Sequence, residues 1–120
     1  MLPPIPAKIL RSTATVRVCT GTDVYQNQTF DTYTVRRVHC QPTTRIVKTT
    51  ADTEQQLTSV LFVDARLSKP ALDWDGLLRA AHETGGDMFV TVNGVEYTVV
   101  TVDTLRDSAD RLHHYEVGLM

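Results

Sequence analysis

The chain has 120 residues, 42% of them hydrophobic, with twelve Lys or Arg against fourteen Asp or Glu and a net charge of −2. That length suits one compact domain, spanning residues 1–120, burying about two-thirds of its unfolded surface, and leaves no room for a second independent core. So small a net charge argues against a bulk nucleic-acid or membrane binder.

Residues 1–12 form a Pro-rich N-terminal arm, because Pro3, Pro4 and Pro6 each lack a donor and fix φ, blocking both helix and sheet ladder. The arm carries no long apolar core, so it does not read as a signal peptide, and no later stretch approaches the ~20 apolar residues of a membrane span. Residues 13–19 alternate, with Val16 and Val18 on one face, and read as a first strand ended by Thr20-Gly21-Thr22-Asp23. Residues 23–31 are polar with isolated aromatics and read as a loop pinned by Tyr25 and Phe30. A second strand is expected over residues 32–41. Its faces, Tyr33, Val35, Arg37, His39 and Thr34, Arg36, Val38, Cys40, are both mixed, as suits a strand at a subunit interface.

Residues 42–56 are Thr-rich and unpatterned, a long polar loop in which Ile46 and Val47 make at most a short strand. A loop of that length in a small β domain is more often functional than incidental. Residues 57–65, LTSVLFVDA, are apolar on both faces and read as a buried strand. Ser68-Lys69-Pro70 ends it, and residues 73–83 then carry Leu77, Leu78, Ala80 and Ala81 at helical spacing behind Asp73 and Asp75. One short helix fits, ended by Gly85-Gly86.

Residues 88–102, MFVTVNGVEYTVVTV, carry the strongest local signal. Asn-Gly between alternating apolar residues is a two-residue type I′ hairpin, since both central residues tolerate φ > 0. The turn fixes the register: Val92 faces Val95, Thr91 faces Glu96, Val90 faces Tyr97, Phe89 faces Thr98 and Met88 faces Val99. Val99-Val100 breaks strict alternation, which implies a bulge or a sheet covered on both sides. Residues 103–110 read as a polar turn and residues 111–120 as a final strand that pairs with the hairpin and closes the sheet.

Chemistry is sparse. Cys19 and Cys40 have no metal or redox spacing and read as free thiols of a reducing compartment. His113 and His114 point to opposite faces of a strand and do not chelate together, and Asp73 and Asp75 flank Trp74 as helix-capping groups. There is no G-x-S-x-G, P-loop, G-x-G-x-x-G or H-E-x-x-H pattern. The expectation is a non-enzymatic protein without catalytic residues, cofactor or metal. Charge is uneven: residues 1–60 hold seven Lys or Arg and four Asp or Glu, net +3, and residues 61–120 hold five and ten, net −5. Such polarity suits head-to-tail contacts between copies.

The order of features adds a resemblance. After the Pro-rich arm come a strand ending in Thr20-Gly21-Thr22, then VRRVHCQPT, SVLFVDARLSKP, GDMFVTVNGVEYTVVTVDTLRD and a terminal HHYEVGLM. Together they resemble the minor capsid proteins of tailed bacteriophages of Gram-positive hosts, in particular the small head-tail connector (head-closure, or stopper) type. The resemblance implies a mostly β protein, a small antiparallel β-barrel with one helix. Its subunits would form a homo-oligomeric ring below the portal in the virion neck, assemble in the host cytoplasm, and be monomeric when isolated. The implied partners are the portal or adaptor protein, tail proteins and non-specific DNA in the channel, with no membrane. By position the channel-plugging loop falls on residues 42–56, with Arg45, Ile46, Val47, Lys48, Asp52 and Glu54. Subunit or partner contacts fall on Pro3, Pro4, Arg36, Arg37, His113 and Tyr115. The alternatives are a tail-completion or other neck component and, more remotely, a small β-barrel nucleic-acid-binding module.

Overall fold

The computed structural model describes residues 9–48 and 53–120. Among them follow β1 (Ser12–Thr22), β2 (Gln28–Pro42), β3 (Ile46–Lys48), β4 (Glu54–Gln56), β5 (Ser59–Asp64), α1 (Trp74–Glu83), β6 (Met88–Val92), β7 (Val95–Arg106) and β8 (Leu112–Leu119). Six strands close a barrel in the order β1-β2-β5-β8-β7-β6, with β6 returning to β1. Every neighbouring pair is antiparallel. The short β3–β4 pair is a separate two-stranded sheet. The expected class, mostly β and antiparallel with one short helix, is what the chain adopts.

The Asn93-Gly94 turn behaves as its chemistry demands, with φ of 53° and 78°. The register follows: Val92 pairs Val95, Thr91 pairs Glu96, Val90 pairs Tyr97 and Phe89 pairs Thr98. At Val99 the partner is Leu119 and at Thr101 it is Gly118, so Val100 is the extra residue of a bulge. β7 continues to Arg106, through the first half of the stretch expected as a turn, because Thr104 and Leu105 still find partners in Tyr115 and His114. The actual turn spans residues 107–110. Asp107 Oδ1 accepts from the Ala109 and Arg111 amides at 2.9 and 3.1 Å, and the Arg111 amide above all holds its carboxyl below the usual range.

β1 and β2 are longer than expected. Pairing runs on to Thr22 and Gln28, helped by the Thr20–Thr29 hydroxyl contact at 2.8 Å. The mixed faces of β2 have an internal cause. Arg37 adopts φ 60° where the β1–β2 register slips, and this extra residue lets Val35 and Val38, three apart, both enter the core. Beyond that corner β2 leaves β1 and pairs with β5. The Lys69 backbone stitches the corner through Arg36 N–H to Lys69 O at 2.7 Å and the reciprocal bond at 3.2 Å.

Inside the barrel lie Ala14, Val16, Val18, Leu61, Val63, Val90, Val92, Val99, Val117 and Leu119, all buried. α1 packs on β1, β6 and β7 and contributes Trp74, Leu78 and Ala81, one face at i, i+4 and i+7. Asp73 caps it through the Gly76 amide at 3.2 Å. Its far end is a Schellman pair, Gly86 N–H to Ala81 O and Gly85 N–H to His82 O. The outward face of the central hairpin is covered by the chain itself. Arg17 lies 4.8 and 5.2 Å from the Phe30 and Phe89 ring centres and donates to Glu96 at 2.9 Å. No described helix is long and apolar enough to cross a membrane.

Candidate functional site

The stretch expected as a long polar loop folds back on itself. Ile46 pairs Gln56, Val47 pairs Gln55 and Lys48 pairs Glu54, so the weak strand signal of Ile46-Val47 is real and finds its partner beyond the bend. The hairpin is rooted on the barrel: Thr43 N–H donates to Thr58 O at 3.1 Å, Leu57 N–H to Arg45 O at 2.8 Å, and the Leu57 side chain is buried. Ile46, by contrast, is 62% exposed. Asp52 lies outside the described residues.

Arg45 does not extend from the hairpin. Its guanidinium reaches down to β8 and β7, 3.4 Å from Glu116 Oε1 and 3.9 Å from Asp103 Oδ2. Glu116 also receives His114 Nε2 at 3.0 Å, and His114 Nδ1 lies 2.7 Å from His113 Nδ1. A carboxylate only accepts, so His114 carries its proton on Nε2 when neutral and its Nδ1 accepts from His113. The adjacent histidines thus touch, ring centres 4.9 Å apart, although alternation alone sets them on opposite faces. Phe62 packs between His39 and His114 on the same outer surface, at 6.0 and 6.3 Å. The arrangement is an electrostatic clasp between hairpin and barrel. It joins a basic residue of the first half to acids of the second, as Arg17–Glu96 does, so part of the charge asymmetry is neutralised within one subunit. Arg45→Ala should speed amide exchange in β3 and β4 while leaving the barrel amides protected, at a global cost of at most about 1 kcal/mol. Unchanged exchange at Val47 and Gln55 would show that the clasp does not hold the hairpin.

The other expected contact residues scatter. Arg36 and Arg37 are exposed at the β2 corner, where the Ser68 hydroxyl donates to Arg37 O. His113 is half-buried in the clasp. Tyr115 is a correction: it is only 7% exposed and belongs to the core, because β8 runs between β5 and β7 with both faces covered. Burial pushes its hydroxyl pKa up, with Asp73 adding to the shift. Pro3 and Pro4 lie outside the described residues. Chemistry remains thin, with no group of three or more His, Cys, Asp or Glu able to hold a metal among the described residues. Burial also raises the Cys40 thiol, a hydrogen bond with Ser59 opposing it, which keeps it protonated and a poor nucleophile at neutral pH.

Two features escape the sequence pattern. Tyr25, expected to pin its loop, instead points outward at 81% exposure beside Val24 at 87%. The loop is pinned by Asp23, whose Oδ1 accepts the Tyr25 and Asn27 amides at 2.8 and 3.0 Å. An open groove of about 630 Å³ lies between α1, β7 and the β3–β4 hairpin, where the apolar Val100, Val102, Leu78 and Met120 alternate with the polar and charged Lys48, Asp75, Arg79, His82, Asp87 and Asp103. Asx chemistry at Asp23 was legible as a turn signal, whereas the groove exists only in the folded chain.

A family model described as a minor capsid protein matches residues 6–119. The chain belongs to the minor capsid protein family. Membership assigns a structural role in the phage virion, and for a minor capsid protein the relevant surfaces are those that meet other virion proteins. The prominent surface features of this chain are the rooted hairpin, the exposed β1–β2 tip and the groove. No curated protein matches the chain.

Proposed function

We propose that this minor capsid protein is a single-domain, non-enzymatic head-tail connector subunit, forming a ring below the portal that closes the DNA-filled head and joins it to the tail. The observation that carries this reading is the β3–β4 hairpin, a separate sheet rooted on a closed barrel, within the stretch that the resemblance to connectors implies as their channel loop. A barrel without free strand edges cannot assemble by strand addition, so its ring contacts fall to side chains and loops. Around the channel the hairpin presents Ile46, Val47, Lys48 and Glu54. The clasp holds Arg45 on the barrel, which favours a steric plug with at most non-specific DNA contact over a charge-based one. Portal or adaptor and tail proteins are the neighbours, reached in the virion neck after assembly in the host cytoplasm. The test is a phage lacking the protein, with electron microscopy of the wild-type neck. Heads that lose DNA and fail to join tails, with density for the protein directly below the portal, are expected. Filled heads that still acquire tails would overturn the assignment, and density on the tail side would favour a tail-completion role.

A further inference from the structure

Most cations of this chain are matched to its own carboxylates. Among the described residues, six arginines lie 2.9–3.9 Å from an Asp or Glu oxygen. The β2 corner is different. Arg36, Arg37 and Lys69 are exposed there, and their side chains have no ion pair or hydrogen bond among the described residues. Two backbone bonds, Arg36 N–H to Lys69 O at 2.7 Å and the reverse at 3.2 Å, hold Arg36 and Lys69 in an antiparallel bridge. Residues so opposed share one side of the ribbon with Cβ atoms roughly 5 Å apart, and like charges there oppose folding. Arg37 stands next in the chain at φ 60°, a conformation that glycine adopts more cheaply than arginine. Arg66, on the loop that carries Lys69, adds a loosely matched fourth charge. Its Nε lies 3.9 Å from an Asp64 carboxylate that already accepts two backbone amides.

We propose that Arg36, Arg37 and Lys69 form a phosphate-binding patch that holds the nucleic-acid backbone of the packaged genome. Guanidinium forks grip phosphate oxygens two at a time, and lysine adds a point charge. A protein face fits less well, since such interfaces have a core depleted of charge and rich in apolar and aromatic groups. None of the exposed large hydrophobic residues among those described lies on β2 or between β5 and α1. The virion role that family membership assigns brings a nucleic-acid polyanion within reach. With a net charge of −2 over the whole chain, the contact is local and salt-labile. It is also separate from the channel hairpin. The corner lies past the Asp64 end of β5, whereas the hairpin is rooted past the Ser59 end and its Arg45 is held by Glu116. The inference rests on the virion role and not on the ring below the portal.

The test is nuclear magnetic resonance of the isotope-labelled full chain, titrated with a short DNA duplex of arbitrary sequence at about 50 mM salt. Amide shifts centred on Arg36, Arg37 and Lys69 are expected, with log affinity falling against log salt at a slope of about −3, one unit for each phosphate-bound cation. Arg36→Gln, Arg37→Gln and Lys69→Gln together should weaken binding about tenfold or more and flatten that slope, in a chain whose barrel resonances are otherwise unmoved. If the triple variant does not fold, each single exchange should still lower the slope by about one. Arg36→Lys with Arg37→Lys should keep the slope, because the charge remains. Absence of shifts at the corner, or shifts centred elsewhere, overturns the proposal. Shifts at the corner with polyglutamate but not with DNA overturn it in favour of an acidic protein partner. These results do not depend on where the protein sits in the virion, so failure of the connector assignment leaves them unchanged.

Discussion

Replacing Trp74 with alanine should lower the free energy of unfolding by about 3–5 kcal/mol, the largest loss expected from one side chain in this protein. Trp74 is fully buried at the first turn of α1 and lies in the main core with Leu78 and Ala81. Removing it opens a cavity where the helix meets the barrel, and rigid strands on the other side cannot collapse into that space. Its Nε1 has no hydrogen-bond partner among the described residues, so the indole is held there by packing. Trp74→Phe, which deletes the unpaired donor and keeps an aromatic ring, should therefore cost clearly less than alanine. Denaturant midpoints measured by circular dichroism, with the m-value checked for constancy, decide it. A loss under about 1 kcal/mol for Trp74→Ala would show that α1 contributes little to the core.

Gly118→Ala should destabilise by about 1–3 kcal/mol, although alanine in a strand ordinarily gains over glycine. A methyl there would lie 2.8 Å from Leu57 Cδ1 and would press on the Thr101 hydroxyl. Thr101 is the residue that resumes pairing after the Val100 bulge, and Leu57 is the buried root of the β3–β4 hairpin. Shortening Leu57 to alanine alone should cost about 2–5 kcal/mol. In the Gly118→Ala background it should cost less, because the new methyl fills part of the vacated space. Strict additivity in the double-mutant cycle would mean that the two positions do not share that space. Both variants should also loosen the hairpin, which couples the barrel wall to the proposed channel element.

The central hairpin, the helix and the final strand were legible because each rests on local chemistry. Asn93-Gly94 dictates its turn, Asp73 caps the next residues through a short reach, and residues 111–120 alternate as a pairing strand does. β2 was legible as a strand but its burial was not, since a non-glycine residue at positive φ, Arg37, gives no warning in the sequence and shifts every later side chain. The stretch at residues 42–56 looked unpatterned because three-residue strands are too short for alternation to register. Tyr115 looked available because the pattern shows two faces of a strand without showing that both are covered. Of the candidate site, the hairpin position was legible, whereas the Arg45–Glu116–His114 clasp and the groove arise from residues far apart in the chain.

β8 is last in chain order, yet in space it lies between β5 and β7. Until the ribosome has passed Leu119, Ser59 to Asp64 have a partner on one side only, and the stave that completes the barrel wall is missing. A chain lacking β8 therefore exposes two unpaired borders in the barrel wall, one on β5 and one on β7, which β8 closes. Closure of the barrel thus waits on its last strand, and a chain that stops short of β8 leaves those borders open to strand addition.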